Sequence, residues 1–220
     1  MAKKTRTPAP PRRVQAPQRR DTVRAPAATD QRQRLILIGF AVSGVVAVAA
    51  VIAVIVLLTG GGGGGNGDLA ATMRTAGFTL QTFKDQGRKH TSNINAKIKY
   101  NSFPPTSGEH YFQPAIWDLY SDPVPQVQLV HNLEHGGIVI QYGSDVPKAT
   151  IDQIDAFYRE DATALLVAPL SALKNKIALT AWTHLATGTR FDEKAFSAFR
   201  DAYRFKGPEK FPPEALQPGT

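Results

Sequence analysis

The chain has 220 residues, with 26 lysines and arginines against 18 acidic residues, and no cysteine. The lack of cysteine excludes disulfide bonds, a thiol nucleophile and thiolate metal ligands. Residues 1–34 hold the whole net charge of +8, so the remaining residues are balanced. A basic nucleic-acid-binding surface on the folded part is therefore not expected.

The first 58 residues divide into a basic tail and a long apolar segment. Residues 1–34 are rich in proline, arginine, glutamine and alanine without an aliphatic pattern, so we predict that they are disordered. Residues 35–58 contain no charged side chain. As a helix they would be about 36 Å long, enough to cross a hydrocarbon layer of about 30 Å. The segment exceeds the apolar part of a signal peptide and shows no clear cleavage motif, which favours an uncleaved transmembrane helix.

The charge distribution predicts the orientation of this helix. The positive-inside rule places the basic tail in the cytoplasm and the rest of the chain outside, as a single-pass protein of the cell membrane. The lipid bilayer is thus the first expected partner. Residues 59–67 form a glycine-rich linker with a flexible reach of about 15 Å. Residues 68–220 are long enough for one exported globular domain.

The patterning of residues 68–220 predicts an α+β domain. A short helix is expected over 68–75 with Asp68 as its N-cap, and residues 76–135 are expected to form loops and short strands. Apolar spacing then predicts, in chain order, a strand over 137–142, a helix over 147–161, strands over 164–168 and 177–182, a helix over 191–205 and an extended end over 207–220. This order favours a small mixed or antiparallel sheet with packed helices, after a loop-rich N-terminal half.

Four of the five histidines fall within 46 residues, and two unusual strings hold three of them. His110 ends the string PPTSGEH, in which prolines, hydroxyl residues and a glycine fix the backbone path. The string HNLEHGG contains two more. If these histidines converge through loops, with Glu109 or Glu134 as an oxygen ligand, the site would suit zinc, copper or nickel. We therefore predict a metal or small-polar-ligand site with the residues His90, His110, His131, His135 and Glu134.

The string HNLEH also matches the H-x-x-E-H pattern of inverted zincins, in which Glu134 would be the general base. That interpretation needs a helix, because His131 and His135 would lie roughly 13 Å apart on a strand. The β-branched residues and glycines that flank the string argue against a long helix. Alternatively, the histidines hydrogen-bond to loop backbone and have no ligand.

Other side chains in this region allow further interpretations. Ser107 with His110 as base would be a nucleophile, but a nucleophile elbow and a third member are missing. His184 follows a predicted strand and is interpreted as structural. Several aromatic residues would line a groove for a sugar or peptide, or form the core of the loop-rich half. These are Tyr100, Tyr111, Phe112, Trp117 and Tyr120.

Two strings also carry a resemblance to a known family. YNSxPPTSGxH over residues 100–110 and VHNLEHGG over residues 130–137 resemble those of the bacterial domain-of-unknown-function family 3105. The resemblance covers roughly residues 78–205. It implies a common domain, often exported behind one transmembrane helix, and gives weight to the two motifs, but it implies no reaction. Phe103 stands where a small or polar residue is expected.

Three functional hypotheses follow. The first is a membrane-anchored domain whose histidines bind a metal ion such as zinc or copper, or a small polar ligand, in metal handling or envelope maintenance. The second is a non-catalytic module that binds an envelope protein or cell-wall partner through an exposed aromatic patch. The third is a metal-dependent hydrolase, which needs an open coordination position beside Glu134. An enzyme is the less favoured outcome.

Overall fold

The computed structural model describes residues 66–220, with side chains from residue 68 onward. The predicted tail, the predicted transmembrane helix and most of the linker lie outside the described residues. Within 66–220, no helix is both long and apolar enough to cross a membrane.

The described residues form a mixed α+β domain with four helices and a five-stranded sheet. The helices are α1 (Asn66–Thr75), α2 (Gln126–Glu134), α3 (Lys148–Glu160) and α4 (Glu193–Tyr203). The strands of the main sheet are β1 (Thr79–Thr82), β4 (Ile138–Tyr142), β5 (Leu165–Pro169), β6 (Ile177–Ala181) and β7 (His184–Gly188). A second, two-stranded sheet joins β2 (His90–Thr91) to β3 (His110–Tyr111). Two short 3₁₀ helices cover Ser171–Leu173 and Pro213–Ala215.

The main sheet has the strand order β1-β7-β6-β4-β5. Only β4 and β5 are parallel, and α3 makes the crossover between them; the other neighbours are antiparallel. This agrees with the predicted small mixed sheet. The parallel pair lies at one edge of the sheet. A connection between parallel strands needs a crossover segment of a dozen or more residues, and α3 provides it here.

Both faces of the sheet are buried. Side chains alternate along β4, so Ile138 and Ile140 face the larger core while Val139 faces the other side. Helices α1, α3 and α4 cover the first face. Helix α2 and the segment around Trp117 cover the second, together with Leu216 near the C-terminus. The second layer matters for function because it fixes α2, which carries the histidine string.

Most predicted elements are confirmed to within about two residues, but three predictions were wrong. Residues 76–135 contain α2, a true helix, in addition to loops and short strands. Its β-branched residues disfavour a helix weakly, and burial against the sheet outweighs that preference. Strand β7 was not predicted, and its first residue is His184. Helix α1 begins at Asn66, so Asp68 lies in its first turn and is not the N-cap.

Candidate metal centre

Helix α2 positions two histidines on one side of its C-terminal turn. His131 and His135 are four residues apart, and their Nε2 atoms are 3.0 Å from each other. The helix ends because Gly136 adopts a φ of +86°, while the amides of Gly136 and Gly137 bond back to the carbonyls of Leu133 and Asn132. The valines before the string therefore belong to a helix of nine residues, contrary to the expectation from their β-branched side chains, whereas the glycines after the string do end it.

The second pair of histidines comes from the two-stranded sheet. Strands β2 and β3 are parallel and place His90 directly beside His110, with ring centroids 4.6 Å apart. Most of the string before His110 is buried. Within it, Ser107 Oγ accepts a hydrogen bond of 3.1 Å from the backbone amide of Gln86. Gly108 has a φ of +120° and packs beside Tyr100, a conformation that disfavours other residues. The string thus fixes the direction of His110, as expected.

These elements meet around the carboxylate of Glu134. Its Oε2 lies 2.9 Å from His110 Nε2 and 3.4 Å from His90 Nε2. The His131 ring stacks on His90 at 5.0 Å. One ligand atom from each of His90, His110, His131 and Glu134 lies within 4.8 Å of the others, so these residues could hold a metal ion. We call this set the inner site.

Backbone carbonyls orient two of the rings. His110 Nδ1 lies 2.7 Å from the carbonyl of Gly108, and His131 Nδ1 lies 2.8 Å from the carbonyl of Tyr111. A carbonyl only accepts hydrogen bonds, so each Nδ1 carries the proton. Each Nε2 then points into the cluster. This arrangement of outer hydrogen bonds is the usual support of a histidine metal ligand.

The electrostatics of the inner site call for a cation. Glu134 is 1% exposed and His110 is fully buried. With Nδ1 protonated, a neutral His110 would point its Nε2 lone pair at a carboxylate oxygen only 2.9 Å away. The contact becomes favourable when a proton or a metal ion lies between the two atoms. Arg88 supplies only partial compensation, since its Nε is 4.0 Å from Glu134 Oε1 and its side chain is half exposed.

A second ligand set overlaps the first. His131, His135 and Glu209 offer one atom each within 4.8 Å of one another, and His135 Nε2 is 3.3 Å from Glu209 Oε2. We call this set the outer site. Burial lowers the pKa of His135 to about 4, with the neighbouring His131 adding to the effect. Burial also lowers the pKa of His131, although its hydrogen bond to Tyr111 opposes the shift. Both rings therefore stay in the neutral, metal-binding form at neutral pH.

Glu209 was missed by the sequence prediction. It lies in the segment expected to be an extended end, outside either motif, and no local pattern marks it as a ligand. Its backbone amide donates to the carbonyl of Glu134 at 3.0 Å, and the Phe205 amide donates to the carbonyl of Gly136 at 2.7 Å. The segment after α4 is thus held against the end of α2.

Other predicted candidates lie away from the cluster or serve it indirectly. Glu109 pairs with Lys89 at 3.2 Å, so Glu134 is the carboxylate of the inner site. His110 cannot act as the base for Ser107, because its Nδ1 contacts the Gly108 carbonyl and its Nε2 contacts Glu134. His184 has a structural setting: its Nδ1 is 3.1 Å from Thr82 Oγ1.

The aromatic residues of the loop-rich half have mixed roles. Trp117 and Tyr120 belong to the core beneath α2, as the simpler interpretation expected. Tyr100 donates from its hydroxyl to the carbonyl of Glu109, and burial raises its pKa to about 12. Tyr111 supports His131 through its carbonyl, while Phe112 is exposed. Because Trp117 and Tyr120 are buried, these two rings are not available to line an open groove.

The fold and the site together define an α+β domain with a buried cluster of histidines around a glutamate that could hold a metal ion. The chain belongs to the family described as a protein of unknown function (DUF3105), whose model matches residues 91–215. The matched range, residues 91–215, spans the positions of both strings and of every inner- and outer-site residue except His90, which immediately precedes it. Comparison with curated proteins and with solved structures gave no match.

Proposed function

We propose that this protein is a membrane-anchored, extracytoplasmic metal-binding protein whose inner site holds one divalent transition-metal ion. The observation that carries the proposal is the close approach of two ring nitrogens, His110 Nε2 and His90 Nε2, to the buried Glu134 carboxylate. The His110 ring is held in this direction by its bond to the Gly108 carbonyl. The lone pair of a neutral imidazole and a carboxylate oxygen repel each other at this distance unless a proton or a metal ion lies between them. Three buried ligands and an exposed His90 would complete a four-ligand shell.

The ligand chemistry favours zinc or copper. Three imidazole nitrogens and one carboxylate oxygen suit borderline metals, whereas magnesium and calcium prefer all-oxygen shells. Neighbouring ligand atoms of a tetrahedral zinc lie about 3.3–3.4 Å apart for bonds of about 2.0–2.1 Å. The separations of Glu134 Oε2 from His110 Nε2 and His90 Nε2, 2.9 and 3.4 Å, are close to this value. Small ring movements would therefore complete the site.

The proposed location rests on the sequence. A long apolar run between a basic tail and a glycine-rich linker would hold the domain close to the outer face of the membrane. The proposed role is thus metal handling at the cell envelope. A cysteine-free ligand set suits this location, because imidazole and carboxylate ligands are not lost to thiol oxidation.

The test is the metal content of the full chain, purified in mild detergent without chelators. Elemental mass spectrometry should find about one zinc or copper ion per chain, or the protein should take up one on titration. The His90→Ala variant, which changes the most exposed inner ligand, should bind the ion more than about 100-fold more weakly, since even outer-shell changes cost about 10–100-fold.

The control variant is His184→Ala, which removes a histidine outside both sites and should leave binding unchanged. Circular dichroism checks that each variant is folded. If the parent protein holds no metal and neither added zinc nor added copper binds, the proposal is wrong.

The hydrolase alternative gives Glu134 a different role. A general base must remain outside the coordination shell and contact a metal-bound water. Here the Glu134 carboxylate lies among the ligand nitrogens and is 1% exposed. This position favours a ligand over a base, so we rank hydrolysis below metal binding.

The interaction-module alternative has its own support. Within residues 68–220, four large apolar side chains are exposed, and two of them lie near the cluster. Phe112 directly follows Tyr111, whose carbonyl contacts His131, and the Phe211 ring lies 4.1 Å from the His135 ring. Such side chains favour contact with an envelope protein or cell-wall partner. A metal-free protein that retained a partner would support this function. The exposed residues are Phe103, Phe112, Ile116 and Phe211.

A further inference from the structure

The two ligand sets share one residue, His131, and this carries an inference that rests on the proposed metal centre. We propose that the outer site is a transient coordination position through which the ion enters and leaves the inner site. His131 would stay bound to the ion during the transfer, because it belongs to both sets. The proposal adds a route of metal exchange, and a role for Glu209, to the binding function.

The outer site has the geometry of a coordination position. His135 Nε2 is 3.0 Å from His131 Nε2 and 3.3 Å from Glu209 Oε2. These separations resemble the edge of a zinc tetrahedron, about 3.3–3.4 Å. Among the described residues, three protein ligands converge there, so a fourth position remains for water or for the ligand of a metal donor. Sites with an open position exchange ligands more readily than closed ones.

The hydrogen count at the outer site also favours a cation. His131 Nε2 carries a lone pair, because its proton is on Nδ1. Glu209 offers a carboxylate oxygen. A neutral His135 has one N–H, and that single hydrogen can point to only one of these two acceptors. A metal ion would accept a lone pair from all three atoms at once.

The shared ring makes the two positions alternatives. An imidazole nitrogen has one lone pair, so His131 Nε2 binds one ion at a time. Moving inward, the ion keeps its bond to His131, breaks those to His135 and Glu209, and releases the water or donor ligand that held its fourth position. It then forms bonds to His90, His110 and Glu134. Any proton on His110 Nε2 leaves to water, and no other charge changes.

The exposure of the ligands sets the direction of the route. The Glu209 side chain is 39% exposed, whereas the inner Glu134 is 1% exposed. The amide of Glu209 bonds to the carbonyl of Glu134, so the outer carboxylate is tied to the residue that supplies the inner one. The competing route is direct entry past His90, whose side chain is 43% exposed.

The kinetics of zinc exchange separate these routes. The full chain is loaded with zinc and mixed with excess chromophoric chelator in a stopped-flow instrument, and uptake is measured separately. Glu209→Gln keeps the shape of the side chain but removes its charge. It should slow both release and uptake by about tenfold. Because the two rates fall together, the equilibrium affinity should change much less than it does in His90→Ala. His135→Gln should do the same.

Glu214→Gln is the matched control, because Glu214 is an exposed glutamate in the same C-terminal segment and belongs to neither site. Unchanged exchange rates in Glu209→Gln, with zinc still bound, would overturn the route and leave the metal centre intact. An affinity loss as large as that of His90→Ala would make Glu209 a resting ligand and also overturn it. Failure of the parent chain to bind zinc would refute the metal centre itself.

Discussion

Metal binding should stabilise the fold strongly, because the inner ligands come from three separate parts of the chain. His90 and His110 lie on β2 and β3, while His131 and Glu134 lie on α2, and an unfolded chain does not hold them together. A ligand that binds only the folded state adds RT ln(1 + [L]/Kd) to the free energy of unfolding. At a free zinc concentration 1,000 times Kd, the gain is about 4.1 kcal/mol.

This gain converts into a measurable shift of the melting temperature. For a domain of this size, 1 kcal/mol moves Tm by about 2–4 °C, so saturating zinc should raise Tm by about 8–16 °C over the chelated protein. In His90→Ala, a 100-fold weaker affinity at the same zinc concentration leaves about 1.4 kcal/mol and a rise of only about 3–6 °C. His184→Ala should keep the full zinc-dependent rise.

The assay is thermal unfolding followed by intrinsic fluorescence. The chain has two tryptophans, and both Trp117 and Trp182 are buried, so their emission reports the unfolding of the domain. Zinc and chelator are compared on the same preparation of the full chain in detergent, and copper is tested in parallel. A Tm that does not change with either metal, or an equal rise in His90→Ala and the parent, would refute this reasoning about the inner site.

Two further predictions concern the surroundings of the site and the stability of the domain. Asn132→Ala should destabilise the fold by about 2–4 kcal/mol in chemical denaturation, because the buried side chain bonds both the amide and the carbonyl of Ala115 and its loss leaves both unsatisfied; a loss below about 0.5 kcal/mol would contradict this. Burial alone would raise the pKa of Asp161, but the hydrogen bond and charge of Arg204, at 2.6 Å, outweigh burial and lower it. A lowered carboxylate pKa stabilises the fold above the unfolded pKa of about 3.9, and this contribution is lost as pH falls through the folded value. Arg204→Met should therefore lower the free energy of unfolding by about 0.5–1 kcal/mol at pH 7, a small value because solvent screens the partly exposed pair. The loss should be smaller below about pH 4. A loss that does not vary with pH would contradict the assignment.

Sequence patterning predicted most of the central fold because those elements are amphipathic or continuously apolar. The strand over 137–142 is rich in β-branched residues, and β4 occupies it almost completely. The helices over 147–161 and 191–205 follow a period of 3.6, and α3 and α4 lie within them. Such elements carry their signal locally, so the sequence reveals them without knowledge of their neighbours.

Helix α2 shows where local reasoning fails. Nearly every residue from Val127 to Glu134 is buried, because the sheet lies on one side and the two-stranded β2–β3 unit on the other. A helix buried all round has no polar face and hence no clear period. Its flanking Pro125 and Gly136 are typical helix boundaries, and they were the available signal.

The sequence by itself determined which chemistry the domain can offer: no thiols, four clustered histidines and two rigid motifs that contain three of them. It also predicts a membrane anchor, which lies outside the described residues. Only the tertiary structure decided which carboxylate joins the histidines, because Glu109 and Glu134 are equally close to a histidine along the chain and differ in the direction they face. It also brought Glu209 to the cluster across more than 70 residues of sequence. Contacts between segments so far apart depend on the packing of the whole core, and no local pattern encodes them.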